Sequence, residues 1–316
     1  MTNKYLRLNK LALLAVAALG AMASCDDIDE VDRITSGKAE TVVIAPDTLT
    51  VEFGGETFTY VDEHKLLIED FTGWNCVNCP TLAEFLTTQI TNSYPSVLVS
   101  LHMNTNSFSA RHRDGYNCAS ADSIADYIIE KDKYLSDQST TASTLPLPSV
   151  TIDQTANDDK RILDSNQNLL SKLALNRFTA CNIDKTAPQA GIGINVSNQG
   201  NGKFGISTYV KYNGPCNLKL WLIEEELRSS RQNSSSGYLK DYLNHGILRM
   251  VINGAYSGDD LTLNGNGEVV AHHTLNIADK MEGDKGWNPV NCRVVAILTD
   301  PATRQVINCN EVELAH

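Results

Sequence analysis

Residues 65–86 read "KLLIEDFTGWNCVNCPTLAEFL", an apolar run that closes on Asp70-Phe71 and passes, through Cys76 and Cys79, into a segment led by Pro80. The run predicts a buried strand, "CPTLAEFLTTQI" (79–90) a helix, and "SVLVSLHM" (96–103) a second buried strand. Strand, helix, strand in that order implies a parallel pair with a crossover, so the cysteines stand where a strand hands over to a helix. A cysteine at a helix start faces unpaired N–H groups and the positive end of the helix dipole, which favour thiolate over thiol. Pro80 fits a first turn, where its missing N–H costs nothing.

Three readings of the pair compete: a redox centre, half of a zinc site, and a short structural disulfide. Zinc needs a second ligand pair, and the other cysteines (118, 181, 216, 292 and 309) are scattered singly. A structural disulfide stays open, although closing two residues removes little chain entropy.

The start of the chain sets the compartment. "MTNKYLRLNK" carries three positive charges and "LALLAVAALG" is an apolar stretch of signal-peptide length, too short to span a bilayer. "AMASC" then leads to Cys25 and resembles a bacterial lipobox, which implies a lipoprotein signal peptide over 1–24 and a lipid on Cys25. The following "CDDIDEVD" resembles the export signal of surface lipoproteins of Bacteroidetes, and residues 25–40 are expected to be an acidic flexible tether. The formal net charge of -12 argues against nucleic acid as a partner. In an oxidising compartment cysteines tend to pair, and Cys292 with Cys309, on the two arms of a hairpin expected across "DPAT" (300–303), is a candidate cross-strand disulfide.

Downstream, "SADSIADYIIEKDKYLSDQS" (120–139) has helical spacing behind a capping Ser or Asp, "LPLPSVTID" (145–153) reads as a strand, and "NQNLLSKLALNRF" (166–178) as a helix. Beyond "DKTAPQAG" short alternating strands are separated by Gly and Asn turns, the pattern of a β-sandwich.

The corner resembles the thioredoxin family, in which a buried strand ends in Asp-Phe and the attacking cysteine follows the Asp by six residues, as Cys76 follows Asp70. The resemblance implies Cys76 as nucleophile, Cys79 as resolving thiol, Asp70 as buried proton relay, and Pro148 as a cis-proline beside the cysteines. Trp74 stands two residues before Cys76 rather than one, no Lys or Arg follows Cys79, and the interval to Pro148 is long. A helical insertion over about 104–144 would account for that interval.

Lipobox, acidic start, "DFTGWNCVNCP", "LWLIEEEL" and "YLNHGILRMVINGAYSG" together resemble the outer-membrane lipoprotein family of Bacteroidetes named for a twenty-eight-kilodalton outer-membrane protein. The implied fold class is an α/β thioredoxin-like domain (41–186) with a helical insertion, followed by an all-β sandwich-like C-terminal domain (187–316). The implied location is the outer membrane, lipid-anchored and surface-exposed. Implied partners are the membrane through Cys25 and exported proteins with cysteines or an outer-membrane transporter, with no metal and no cofactor. Thiol–disulfide exchange is one function this layout supports; a non-enzymatic adhesin, receptor or transporter partner is the other. His245 and Arg249 in "NHGILR" are expected to be a hydrogen-bonded core detail, and His102 a strand-end residue held by its neighbours.

Overall fold

A computed structural model describes residues 49–109, 116–156, 160–164, 190–229, 231–254, 256–281 and 286–315. The signal segment, Cys25, the acidic tether, Cys181 and the helix expected over 166–178 lie outside the described residues. All of the described residues belong to one compact unit, mostly β, with several sheets and few helices.

The apolar run forms β3 (Leu66–Thr72), buried at every position. Its neighbours are β4 (Ser96–His102), parallel and in register from Leu66↔Ser96 to Thr72↔His102, and β5 (Ser149–Ile152), antiparallel. Burial on both faces explains why the strand reads as continuous apolar residues rather than alternating ones. On one face lies α1 (Cys79–Phe85), with Pro80 in its first turn and a π-helical turn continuing it to Ile90. Hydroxyls of Thr87, Thr88 and Thr91 donate to the carbonyls four residues earlier, which competes with regular helix hydrogen bonding where the turn widens. Leu82, Leu86 and Ile90 pack there on Leu66, Ile68, Val150 and Ile152. The other face is covered by α2 (Ala119–Ile129) and α3 (Lys133–Asp137), whose Ile124, Ala125, Ile128 and Leu135 meet Leu67, Phe71, Val99 and Leu101. The expected Ser or Asp cap of α2 is replaced by Cys118, which makes no side-chain cap bond. Asp122 turns instead to the loop after β4 and accepts from the Asn104 and Thr105 amides at 2.9 and 3.3 Å. Asp132 caps α3 and also accepts from the Arg161 and Ile162 amides, tying the segment after β5 to the helices.

The rest of the chain extends this sheet and packs a second one on it. The larger sheet runs β18 (Val306–Glu313), β17 (Cys292–Thr299), β9 (Asn217–Glu224), β14 (Ile247–Val251), β4, β3, β5 and β6 (Leu163–Asp164), with the short β15 (Asp259–Asp260) also paired to β9. The smaller joins β1 (Leu49–Phe53) and β2 (Glu56–Val61), a hairpin over Gly54-Gly55, to β7 (Gly191–Gly200), β8 (Lys203–Lys211) and β16 (Glu268–Asn276). Ile192, Ile194, Phe204 and Ile206 of the smaller sheet meet Leu218, Leu220, Leu222 and Val294 of the larger, which is sandwich packing. Both sheets cross residues 186/187, where the change of pattern placed a boundary: β2 pairs with β7, and β14 with β4.

Gly246 makes the second junction possible. It has φ +59, its carbonyl accepts from the Ser100 amide at 2.8 Å, and a Cβ would stand 2.2 Å from the Leu98 oxygen. The pairing of Cys292 with Cys309 is corrected by the sheet. Cys309 sits opposite Ile297 and faces the helices, whereas Cys292 faces the smaller sheet with Val294 and Ala296. Side chains on opposite faces of a sheet cannot be bridged, and both thiols are free.

Candidate redox site

Chain order and the pairing of β5 with β3 bring the corner together. Beyond Thr72 the chain turns through Gly73, Trp74 and Asn75, and Cys76 and Cys79 follow, joined in a disulfide with Cα atoms 5.4 Å apart. Cys79 is the first residue of α1. The Leu147–Pro148 peptide is cis and leads directly into β5, whose Ser149 pairs with Phe71. Leu147 shares an apolar cluster with Cys76, Cys79 and Phe71. Asp70, Cys76, Cys79 and Pro148 are thus gathered at the same end of β3.

Asp70 projects to the α1 face of β3, paired with Val150. It is 1% exposed, and its Oδ1 meets no hydrogen-bond donor among the described residues. Burial raises its pKa from 3.8 to about 7, because a carboxylate withdrawn from solvent is costly to ionise. Tyr242 adjoins it: burial, then the charges of Asp70 and Glu84, push the phenol pKa up.

Sequence reasoning missed the cover over this corner. Between β9 and β14 the described residues of 225–246, all but 230, make a long hairpin from β10 (Leu227–Ser229) paired to β13 (Tyr242–Asn244) and β11 (Gln232–Ser234) paired to β12 (Gly237–Leu239). Its base is pinned where Glu225 Oε2 accepts from the Gly246 amide at 3.0 Å, with His245 Nδ1 at 3.5 Å from the same oxygen. Its far end lies on the disulfide loop. The Asn233 amide donates to the Trp74 carbonyl at 2.7 Å, and Gln232 Nε2 donates to the Gly73 and Cys76 carbonyls at 3.2 and 3.4 Å. Asn233 Nδ2 reaches Asn75 Oδ1 at 3.2 Å, and the Tyr238 ring stacks on Trp74 with centroids 6.2 Å apart. From the other side the Phe108 carbonyl accepts from the Asn75 amide at 2.9 Å. Cys76 and Cys79 are left only 2% and 1% exposed. Polar residues and Gly237 mark residues 231–241 as a turn, yet nothing local in them points to a loop some 150 positions earlier.

The remaining sequence candidates have structural roles. Arg249 Nε meets Glu224 Oε2 at 2.7 Å in a buried pair, which agrees with a core role, whereas the His245 side chain is exposed and is not part of the core. His102 is buried at the end of β4, edge-on to Tyr116. Among the described residues no group of three or more His, Cys, Asp or Glu could hold a metal, and no helix is long and apolar enough to cross a membrane.

The family model described as Outer membrane protein Omp28 matches residues 142–316, more than half of the chain. The chain belongs to the Omp28 family. That membership places the protein in the outer membrane. The span matched to Omp28 takes in Pro148, the strap 225–246 and most of both sheets, while Asp70, Cys76 and Cys79 precede it. Among solved structures the chain is similar to HBP35 of Porphyromonas gingivalis, at 14% identity and TM-score 0.61, over 80% of this chain and 76% of that one. At that identity the likeness is one of fold. A domain of the outer membrane lipoprotein Omp28 from Porphyromonas gingivalis aligns at 16% identity and TM-score 0.28, over 40% of this chain and 89% of that one. No curated protein sequence matches the chain.

Proposed function

We propose that this outer-membrane protein is a lipoprotein anchored through Cys25 and exposed at the cell surface, with a thioredoxin-like corner that exchanges thiols and disulfides with exported proteins. The observation that carries the reading is the Cys76–Cys79 disulfide at the start of α1, beside a buried carboxyl that changes protonation near neutral pH. Asp70, Pro148 and the strand–helix–strand order around the cysteines support the thioredoxin-like assignment of residues 41–186.

The oxidised pair can take two electrons from a partner dithiol. A partner thiolate attacks Cys76 Sγ; the Cys76–Cys79 bond breaks, a mixed disulfide forms, and Cys79 leaves as a thiolate that takes its proton from Asp70. The partner's second thiolate attacks its own sulfur in the mixed disulfide, Cys76 leaves, and the partner departs with a disulfide. The partner is oxidised and the pair reduced. Cys76 acts as the attacked sulfur, Cys79 as leaving group and Asp70 as general acid, which requires its pKa to lie near the working pH. Val77, between the cysteines, and Phe108 are exposed apolar side chains beside the corner and suit a polypeptide partner.

A second reading has its own observation. The two sulfurs are sealed beneath the 225–246 strap, as a structural disulfide in an adhesin, receptor or transporter partner would be.

Trapping separates the two. A Cys79→Ala variant expressed in its native envelope is expected to accumulate reducible adducts through Cys76, absent from the Cys76→Ala, Cys79→Ala double variant. Absence of adducts, together with failure of the wild type to oxidise a protein dithiol, rejects exchange and leaves the binding role. Cys25→Ser is expected to leave the membrane fraction, and retention there would reject the anchor.

A further inference from the structure

We propose that the strap 225–246 is a gate over the disulfide, held in the place of an extended polypeptide partner, and that its opening admits thiols to Cys76. The proposal rests on the exchange reading for its purpose but not for its test.

The strap covers the corner without being part of the core. None of its described residues belongs to the apolar clusters of the two sheets, and its buried side chains, Ser229, Gln232 and Asn244, are polar. Nearer its base the strap is held by the Tyr116 hydroxyl, which donates to the Arg228 carbonyl at 2.6 Å, and by Tyr242 beside Asp70; its tip is closed by hydrogen bonds from Gln232 and Asn233 and by one stacked ring, Tyr238, that is itself 56% exposed. Each such bond contributes little net free energy because water replaces it on opening, and an exposed aromatic pair adds no more, so local opening lies far below global unfolding in free energy. The base differs. Gly246 is locked against Leu98 and Ser100, and Glu225 holds the Gly246 amide. A fixed base and a weakly held tip make a hinge.

The contacts at the tip are of a kind that a partner can reproduce. The Asn233 amide meets the Trp74 carbonyl, a main-chain bond that any extended peptide can offer, as in strand addition to an exposed edge. The Gln232 side-chain amide donates to the Cys76 carbonyl beside the disulfide and shares the Gly73 carbonyl with the Cys76 amide. An incoming segment laid along Gly73–Cys76 would inherit these acceptors and bring its sulfur toward Cys76.

The test uses the full chain and two probes, dithiothreitol and reduced, unfolded ribonuclease. In each case the probe's two thiols are oxidised to a disulfide, the Cys76–Cys79 bond is reduced to two thiols, and two protons pass to those sulfurs. Gln232→Ala with Tyr238→Ala is expected to raise the rate of reduction by dithiothreitol at least about tenfold, the factor for 1.4 kcal/mol of lost closure. The ribonuclease rate should rise with it. Unchanged rates with both probes, in a variant whose thermal melt matches the wild type, would overturn the gate. A rise with dithiothreitol alone would overturn the claim that a polypeptide takes the strap's place. As a second readout the Asn233 amide should exchange its hydrogen at least about 100-fold faster than amides in the middle of β9, and equal protection would overturn the weak closure. None of these rates depends on a physiological partner, so failure of the trapping experiment is distinguishable from failure here.

Discussion

Glu69 and Asp70 are adjacent on β3, equally buried, and point to opposite faces of the sheet. Under Glu69 the fold supplies donors: the Thr151 hydroxyl, Gln154 Nε2 at 3.0 Å, and the charge of the buried Lys219 from β9. Under Asp70 it supplies none for Oδ1 among the described residues. Burial pushes both carboxyls up and Lys219 down to about 8, but only at Glu69 do hydrogen bonds and an opposite charge work against it. Two carboxyls one residue apart thus have different surroundings: donors and a positive charge work against the upward shift of the first, and the second, without them, holds a proton up to about pH 7.

The largest test of this contrast is Glu69→Ala. It leaves the buried Thr151 hydroxyl and Gln154 amide without their acceptor and removes the opposite charge that favours the Lys219 ammonium, and urea denaturation is expected to show a loss of about 3–5 kcal/mol. Adding Lys219→Met should recover at least about 1 kcal/mol of that, and strict additivity would show that the two do not interact.

Next in size is Asp70→Asn. The carboxyl ionises at 3.8 in the unfolded chain and at about 7 in the folded one. Between those values the folded state keeps a proton that the unfolded state has lost, so stability falls as pH rises through that window and is flat above it. Removing the carboxyl removes the fall. The variant should be more stable than wild type by about 2–4 kcal/mol at pH 8 and unchanged near pH 4, and an equal effect at both would reject the raised pKa.

Smallest is Thr151→Val, which deletes one donor to Glu69 while keeping shape, with an expected cost of about 1.5–3 kcal/mol. An equivalent loss from a donor near Asp70 has no counterpart, because there is no such bond to Oδ1 to remove.

The elements that local pattern controls are legible in the chain itself. β3, α1, β4 and β5 follow from apolar runs and Pro80, and the hairpin over Gly54-Gly55 from its glycines. Helical periodicity reads 120–139 as one stretch, which the fold divides into α2 and α3 with Asp132 capping the second, and Asp122 serves the neighbouring loop and not the cap. What fails depends on which face or which partner a residue meets. Cys292 and Cys309 lie on adjacent strands, and only the register shows them turned to opposite faces. The smaller sheet takes its first strands from ahead of the cysteine corner because β2 finds β7, a pairing between distant segments that no local pattern encodes.

The sequence by itself determined the chemistry available at the corner: two cysteines at a strand-to-helix turn and an acid at the strand end. Those are short-range facts, fixed by spacing and by what a strand and a helix do to their end residues; Pro148 leads a later strand and joins them through the pairing of β5 with β3. Only the tertiary structure decided whether that chemistry is reachable. The strap that seals Cys76 comes from the far side of β9, and its Asn233 and Gln232 bond to main-chain carbonyls, which every residue possesses and which therefore leave no mark in the sequence. The same holds for Glu69 and Asp70, alike in type and burial, whose difference lies wholly in what the rest of the fold brings to each face.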